Sequence, residues 1–465
     1  MSKPTTATSP SILAAVSTLL FTVFASPAWA QETITERLQR IRDLQDPLYE
    51  DFEAAEKDFK KNLKGQARRI LARGTQVPLD DKRLTDWAEH RVKMMTNPKL
   101  DSDEVQEMAR SLIAQVNTKA GLSIDSASQK DKFRRKLFET LTSKAEILLK
   151  NNYEARVAGI NILGSLNSSI RPVVVPYTGS AGTLLNTARD ANEVPVLRFL
   201  AFMHLNRMNR YGKLAVADEL ALMKGLSDAL ADESIPKEAA DGFYLAVAAC
   251  LENVRRDVDP GGNPVAFQAL AQSMNASGNG ALKKRSYAVR AVSARALALT
   301  GDKGAGVQYR VIAWKVAELA YEMAQEFNKE QLKNPDPKDP ATVTWRDIYD
   351  LGVAFRGEDG KIGILGRLDD PFTKEADGVV FPIVKGVMGN DVAAKKDLKK
   401  LDDWLKNNRP PNMKYHPKAP PFAGSGKAGG PADGGKGKAD GPGKGGTGRT
   451  SAQADRSATT GRQGG

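Results

Sequence analysis

The chain has 465 residues, a formal net charge of +12, one cysteine and three histidines. Its length covers roughly two or three domains. A single cysteine excludes an intrachain disulfide framework, and 6% aromatic against 41% apolar residues fits helix-on-helix packing better than a β-sandwich. The charge is uneven. From Arg409 onward ten Lys/Arg stand against three Asp/Glu, whereas residues 31–408 carry only +4.

Residues 12–25, ILAAVSTLLFTVFA, follow a short start carrying Lys3 and precede Ala28-Trp29-Ala30. A short apolar run before a small-x-small triplet predicts a signal peptide over residues 1–30, cleaved between Ala30 and Gln31. The run is shorter than the roughly 20 residues a membrane span needs. The expectation is a mature protein that is periplasmic or secreted and not membrane-spanning after cleavage.

Residues 31–128 read as an N-terminal helical region. Ile34, Leu38, Ile41, Leu48, Phe52, Phe59, Leu63 and Ile70 recur at helical spacing, and Pro47 divides them into two helices, itself in the first turn of the second. Further helices are predicted at 80–96 and 102–117. Asp101-Ser-Asp-Glu104 lacks the glycine and distal glutamate of a calcium loop and reads as a helix cap with a capping box.

Residues 131–150 form an amphipathic helix with Phe133, Leu137, Leu141, Ala145 and Leu148 on one face. After Asn151-Asn152 comes YEARVAGINILGSLN, residues 153–167, with Ala155, Gly159, Ile162, Leu163 and Leu166 along one side. Ile170–Tyr177 has strand character and reads as an extended loop. Helices are then predicted at 194–210, 214–231, 236–255, 264–275, 285–300 and 305–332. The helix at 285–300 contains VRAVSARALALTG, which repeats the earlier order of an arginine, a small residue three positions on, and an aliphatic–Leu pair.

These two strings resemble the inner helix of a HEAT-type (armadillo-like) repeat, a resemblance that covers about residues 130–325. It implies an all-α fold, an irregular α-solenoid of HEAT-like helix pairs over residues 129–333, because such a helix buries its apolar side only against a neighbouring pair. It further implies that Arg156, Arg290 and the interrupting Gly164 are repeat-structural residues. It also implies a scaffold that binds a protein partner and does not catalyse.

Residues 341–408 are rich in glycine and predict a small α-rich subdomain, with a hairpin near Glu358–Lys361 and a closing helix at 391–407. Residues 409–465 combine seven prolines and fifteen glycines with Lys and Ala. They predict a disordered basic tail, since such a segment buries too little apolar surface to offset its chain entropy.

No dinucleotide turn, phosphate loop, serine elbow or HExxH motif is present. His90, His204 and His416 have no metal-ligand spacing. His204 and Cys250 lie in apolar runs and read as packed core residues. No catalytic, cofactor-binding or metal-binding residue is assigned, and no cofactor is expected. The expected partner is a protein. The alternatives are retention of the cationic tail on an anionic cell-envelope polymer, without specific nucleic-acid recognition, and an exported enzyme of unspecified reaction.

Overall fold

The computed structural model describes residues 36–422, except 45, 170–172, 213, 236, 277–281, 283, 301–305, 333–341, 359 and 390–394. The predicted leader, the Ala30–Gln31 cleavage pair and residues 423–465 lie outside the described residues. Within them the protein is mostly helical, and strand is confined to two short antiparallel ribbons.

After a helical stretch at 36–42 come α1 (Phe52–Asn62), α2 (Lys64–Arg73), α3 (Pro78–Lys93) and α4 (Ser102–Lys119). Pro47 does not start a helix. Asp51 does, because its carboxylate accepts from the free amides of Glu53 and Ala54, leaving Pro47 in the connection. A further break falls at Leu63, where φ is −121°. Asp101 and Glu104 cap α4 reciprocally, the Glu104 amide donating to Asp101 at 2.8 Å and the Asp101 amide to Glu104 at 3.0 Å.

Next come α5 (Ala127–Ala145) and α6 (Tyr153–Ser165), the latter capped by Asn152. Strands β1 (Asn167–Ser169) and β2 (Val175–Pro176) make an antiparallel ribbon where the sequence predicts an extended loop. Helix α7 (Ala181–Arg189) is not anticipated by the sequence. Gly179, Ser180 and Gly182 read as turn residues, yet Leu184, Leu185 and Ala188 behind them are buried and hold a helix of nine residues.

The chain continues through α8 (Pro195–Tyr211), α9 (Val216–Ala231), α10 (Lys237–Leu251), α11 (Val265–Met274), α12 (Tyr287–Leu299) and α13 (Tyr309–Leu332). Then follow α14 (Trp345–Arg356), the hairpin β3 (Gly357–Glu358) and β4 (Lys361–Ile362), α15 (Ile364–Arg367), α16 (Pro371–Met388) and α17 (Lys395–Asn407).

Packing follows alternate helices. α4, α6, α8, α10, α12, α14 and α16 stand in one row, each against the next. Behind them α3 packs on α5, and α7, α9 and α11 pack in series. Within pairs, α5 touches α6, α7 touches α8, α9 touches α10 and α11 touches α12. Small residues line the seams. Ala155 and Ala158 in α6, Ala201 in α8 and Ala291, Ala294 and Ala298 in α12 are all fully buried, which lets neighbouring axes approach closely. Helices of residues 341–408 continue this packing, with α14 on α12 and α16 on both α13 and α14.

The first part of the expected tail, up to Phe422, packs against the helices. Met413, Tyr415, Ala419 and Phe422 are buried. The Gln308 amide donates to the Tyr415 carbonyl at 2.8 Å, Lys418 Nζ donates to the Gly261 carbonyl at 2.7 Å, and the Arg409 guanidinium lies over Trp314. A few large apolar side chains at irregular spacing anchor a strap that the Pro/Lys-rich average conceals.

Candidate interaction surface

Arg156 and Arg290 occupy the fourth position of α6 and α12. Arg156 Nε donates to the Asn151 carbonyl at 2.7 Å, and its Nη1 reaches Glu193 at 2.6 Å. Arg290 Nε donates to the Met274 carbonyl at 2.9 Å, and its Nη2 reaches Glu322 at 2.7 Å. A third arginine, which the sequence reasoning missed, does the same. Arg198, fourth in α8, bonds the Ala188 carbonyl at 3.2 Å and Asp232 at 3.1 Å. Its signal is the shared register of YEAR, PVLR and YAVR at the three helix starts. A cation in the first turn is unfavourable to the helix dipole. Here each guanidinium instead joins a carbonyl at the end of the preceding segment to a carboxylate further along the chain.

Gly164 is fixed by a different contact. A Cβ there would fall inside the His204 ring. His204 Nε2 stands 3.1 Å from Asn161 Oδ1, Asn161 Nδ2 donates to Gln106 Oε1 at 3.1 Å, and Gln106 Nε2 donates to the Glu154 carbonyl. A polar ladder therefore crosses α4, α6 and α8. Burial, then the nearby Arg207 charge, lower the His204 pKa to about 4. The imidazole is thus neutral near pH 7.

The other candidates stay apart. Cys250 is buried with its thiol on the Phe202 carbonyl, and burial raises its pKa. His90 stacks on Phe59 and stands 3.0 Å from Glu56, beside a shallow pocket of about 450 Å³ lined by Phe52, Glu56 and Lys60. His416 sits in the C-terminal strap. Asp370 caps α16 through the Thr373 amide and pairs with Arg310 at 2.5 Å. Among the described residues no group of three or more His, Cys, Asp or Glu side chains is placed to hold a metal ion, and no helix is long and apolar enough to cross a membrane.

One edge of the helix row gathers exposed and fixed groups together. It is formed by the C-terminal ends of α6, α8, α10, α12 and α14, which are tied laterally. Arg207 donates to the Gly164 carbonyl at 2.8 Å and also to Asn167. Asn209 Nδ2 donates to the Asn253 carbonyl at 2.6 Å, Thr300 Oγ1 to the Leu251 carbonyl at 3.2 Å, and Arg367 to the Leu299 carbonyl at 2.8 Å. The Gly164, Leu251 and Leu299 carbonyls are ones that a helix end leaves without an internal partner. Val173, Val174, Tyr211 and Ile362 are exposed along this edge, Tyr211 to 55%.

An ion network sets the β3–β4 hairpin against it. Arg295 on α12 bonds Glu252 and Asp350, each at 3.0 Å, and lies 3.4 Å from Glu358. Lys361 Nζ bonds Glu252 at 2.7 Å and Asn253 at 2.8 Å, and the Tyr349 hydroxyl donates to Glu358 at 2.7 Å. Burial raises the Asp350 pKa and lowers that of Lys361. Glu252, Asp350 and Glu358 are each held by a cation, and Glu358 also by the Tyr349 hydroxyl. The network therefore has the form of a clamp. No family model, curated protein or solved structure matches the chain.

Proposed function

We propose that this protein is a non-catalytic, exported scaffold, an irregular HEAT-like α-solenoid that binds a partner protein along the edge described above. The observation that carries the reading is the presentation of Tyr211 and Ile362, exposed, on a backbone held by lateral bonds between successive helix ends. Exposed aromatic and aliphatic side chains on a fixed frame suit protein recognition, because little ordering entropy is lost on binding. Alternate-helix packing and the arginine register shared by three helices support the repeat assignment. The leader-like residues 1–30 support export, to the periplasm or beyond the cell.

The test is a photo-crosslinking amino acid placed at Tyr211 in the full chain, in the cells that produce it. A second site, the exposed Asn192 between α7 and α8 at the other end of α8, serves as control. The expected result is one protein adduct from position 211 and none from position 192. No adduct from either, or the same adducts from both, rejects the reading.

A further inference from the structure

The charges around Tyr211 specify what kind of partner segment the edge suits. Arg210 is exposed, lies over the Tyr211 ring at 5.2 Å, and has no carboxylate in ion-pair distance among the described residues. Arg255 is also exposed, and its guanidinium rests on the carbonyls of Asn209 and Gly212, which flank Arg210 and Tyr211. The Lys361 ammonium lies near enough to Arg210 for the two charges to repel. Among the described residues, the nearby carboxylates are already engaged. Glu252 is held by Arg295 and Lys361, Glu358 by Arg295 and Tyr349, and Glu219 by the Arg255 amide and by Arg256 at 3.6 Å. Among the described residues the edge is therefore left with uncompensated positive charge beside an exposed aromatic ring.

Resting on the scaffold reading above, we propose that this edge takes an acidic, extended segment of the partner protein, with carboxylates on Arg210 and Arg255 and an apolar side chain against Tyr211. Arg210 offers a planar fork suited to carboxylates, and Arg255, seated on backbone carbonyls, adds fixed positive charge beside it. A nucleic acid fits less well. Its binding draws on many phosphate contacts along a continuous basic track with repeated aromatic platforms, and among the described residues this edge has few free cations and one exposed ring. The chain's own C-terminal residues 423–465 are net cationic and would be repelled.

The experiment places the photo-crosslinker at Ile362 in the full chain and sequences the cross-linked peptide. A second chain adds Arg210→Glu, a substitution that breaks no hydrogen bond or ion pair of the described residues and whose folding is checked by circular dichroism. The expected result is a segment with excess Asp and Glu, and an adduct yield reduced about tenfold or more by Arg210→Glu, as charge reversal at a complementary contact implies. A neutral or basic segment, a nucleic-acid adduct, an adduct to a second copy of this chain, or a yield indifferent to Arg210→Glu overturns the inference. A neutral or basic protein segment leaves the scaffold reading standing, whereas no adduct from Tyr211 or Ile362 rejects both.

Discussion

Gly164 and His204 share one space. The His204 ring occupies the volume that any side chain at position 164 would need, and the adjoining Gly164 carbonyl accepts from Arg207. Gly164→Ala should therefore overpack the α6–α8 seam and destabilise the fold by about 1–3 kcal/mol. Paired with His204→Ala, which empties the space, the two substitutions should couple by about 1–3 kcal/mol in a double-mutant cycle from urea denaturation. Strictly additive effects would show that the two positions do not compete.

The same histidine makes stability pH-dependent. Its folded pKa of about 4 lies below the ordinary value of 6.5. Between these values the unfolded chain binds the proton more readily, so stability should fall as pH drops from 6.5 to 4. The loss approaches about 3 kcal/mol when His204 must charge in the fold. His90, lowered mainly by burial, acts in the same direction. Urea midpoints of wild type and His204→Gln at pH 7.5, 5.5 and 4.5 separate the two. His204→Gln should lose stability less steeply toward acid, and parallel curves would remove His204 from the account.

What was legible in the sequence was local. The α6 and α12 helices announce themselves through a small-residue face, to which the structure adds Asn152 and Ser286 as caps. Helix α7 was hidden because its length of nine residues gives periodicity little room, and glycines flank its start. Arg198 was hidden because the aliphatic–Leu pair that follows the arginine in the other two helices is replaced after it by His204-Leu205. The clamp of Glu252, Arg295, Asp350 and Lys361 draws on positions more than 100 apart, which only the helix row brings together. The strap at 409–422 was obscured by averaging, since its four buried apolar side chains sit among prolines and lysines.

Arg290 offers a test of the bridging arginines. Its side chain is 6% exposed and serves both the Met274 carbonyl and Glu322. Arg290→Met should leave that buried carbonyl without its side-chain donor and cost about 2–4 kcal/mol. Arg290→Lys should recover only part of this, because one ammonium on a flexible stem does not reproduce a fork with two separated donors. Thermal midpoints of the three proteins at equal pH provide the comparison. Lysine restoring full stability would mean that charge alone matters at this position.

The C-terminal strap gives the last prediction. Met413, Tyr415, Ala419 and Phe422 are each at most 6% exposed, and Trp314 beneath Arg409 is 7% exposed. A chain ending at Asn408 removes all four of these apolar side chains and uncovers apolar surface on α13. Burying one large apolar side chain is worth about 1.5–3 kcal/mol, so the loss should exceed about 3 kcal/mol. A chain ending at Phe422 keeps every one of those contacts and should melt with the full-length protein. Differential scanning calorimetry of the three chains decides the matter. Equal midpoints for the chains ending at 408 and 422 would mean that the strap covers the helices without stabilising them, and would return the start of the tail to Arg409.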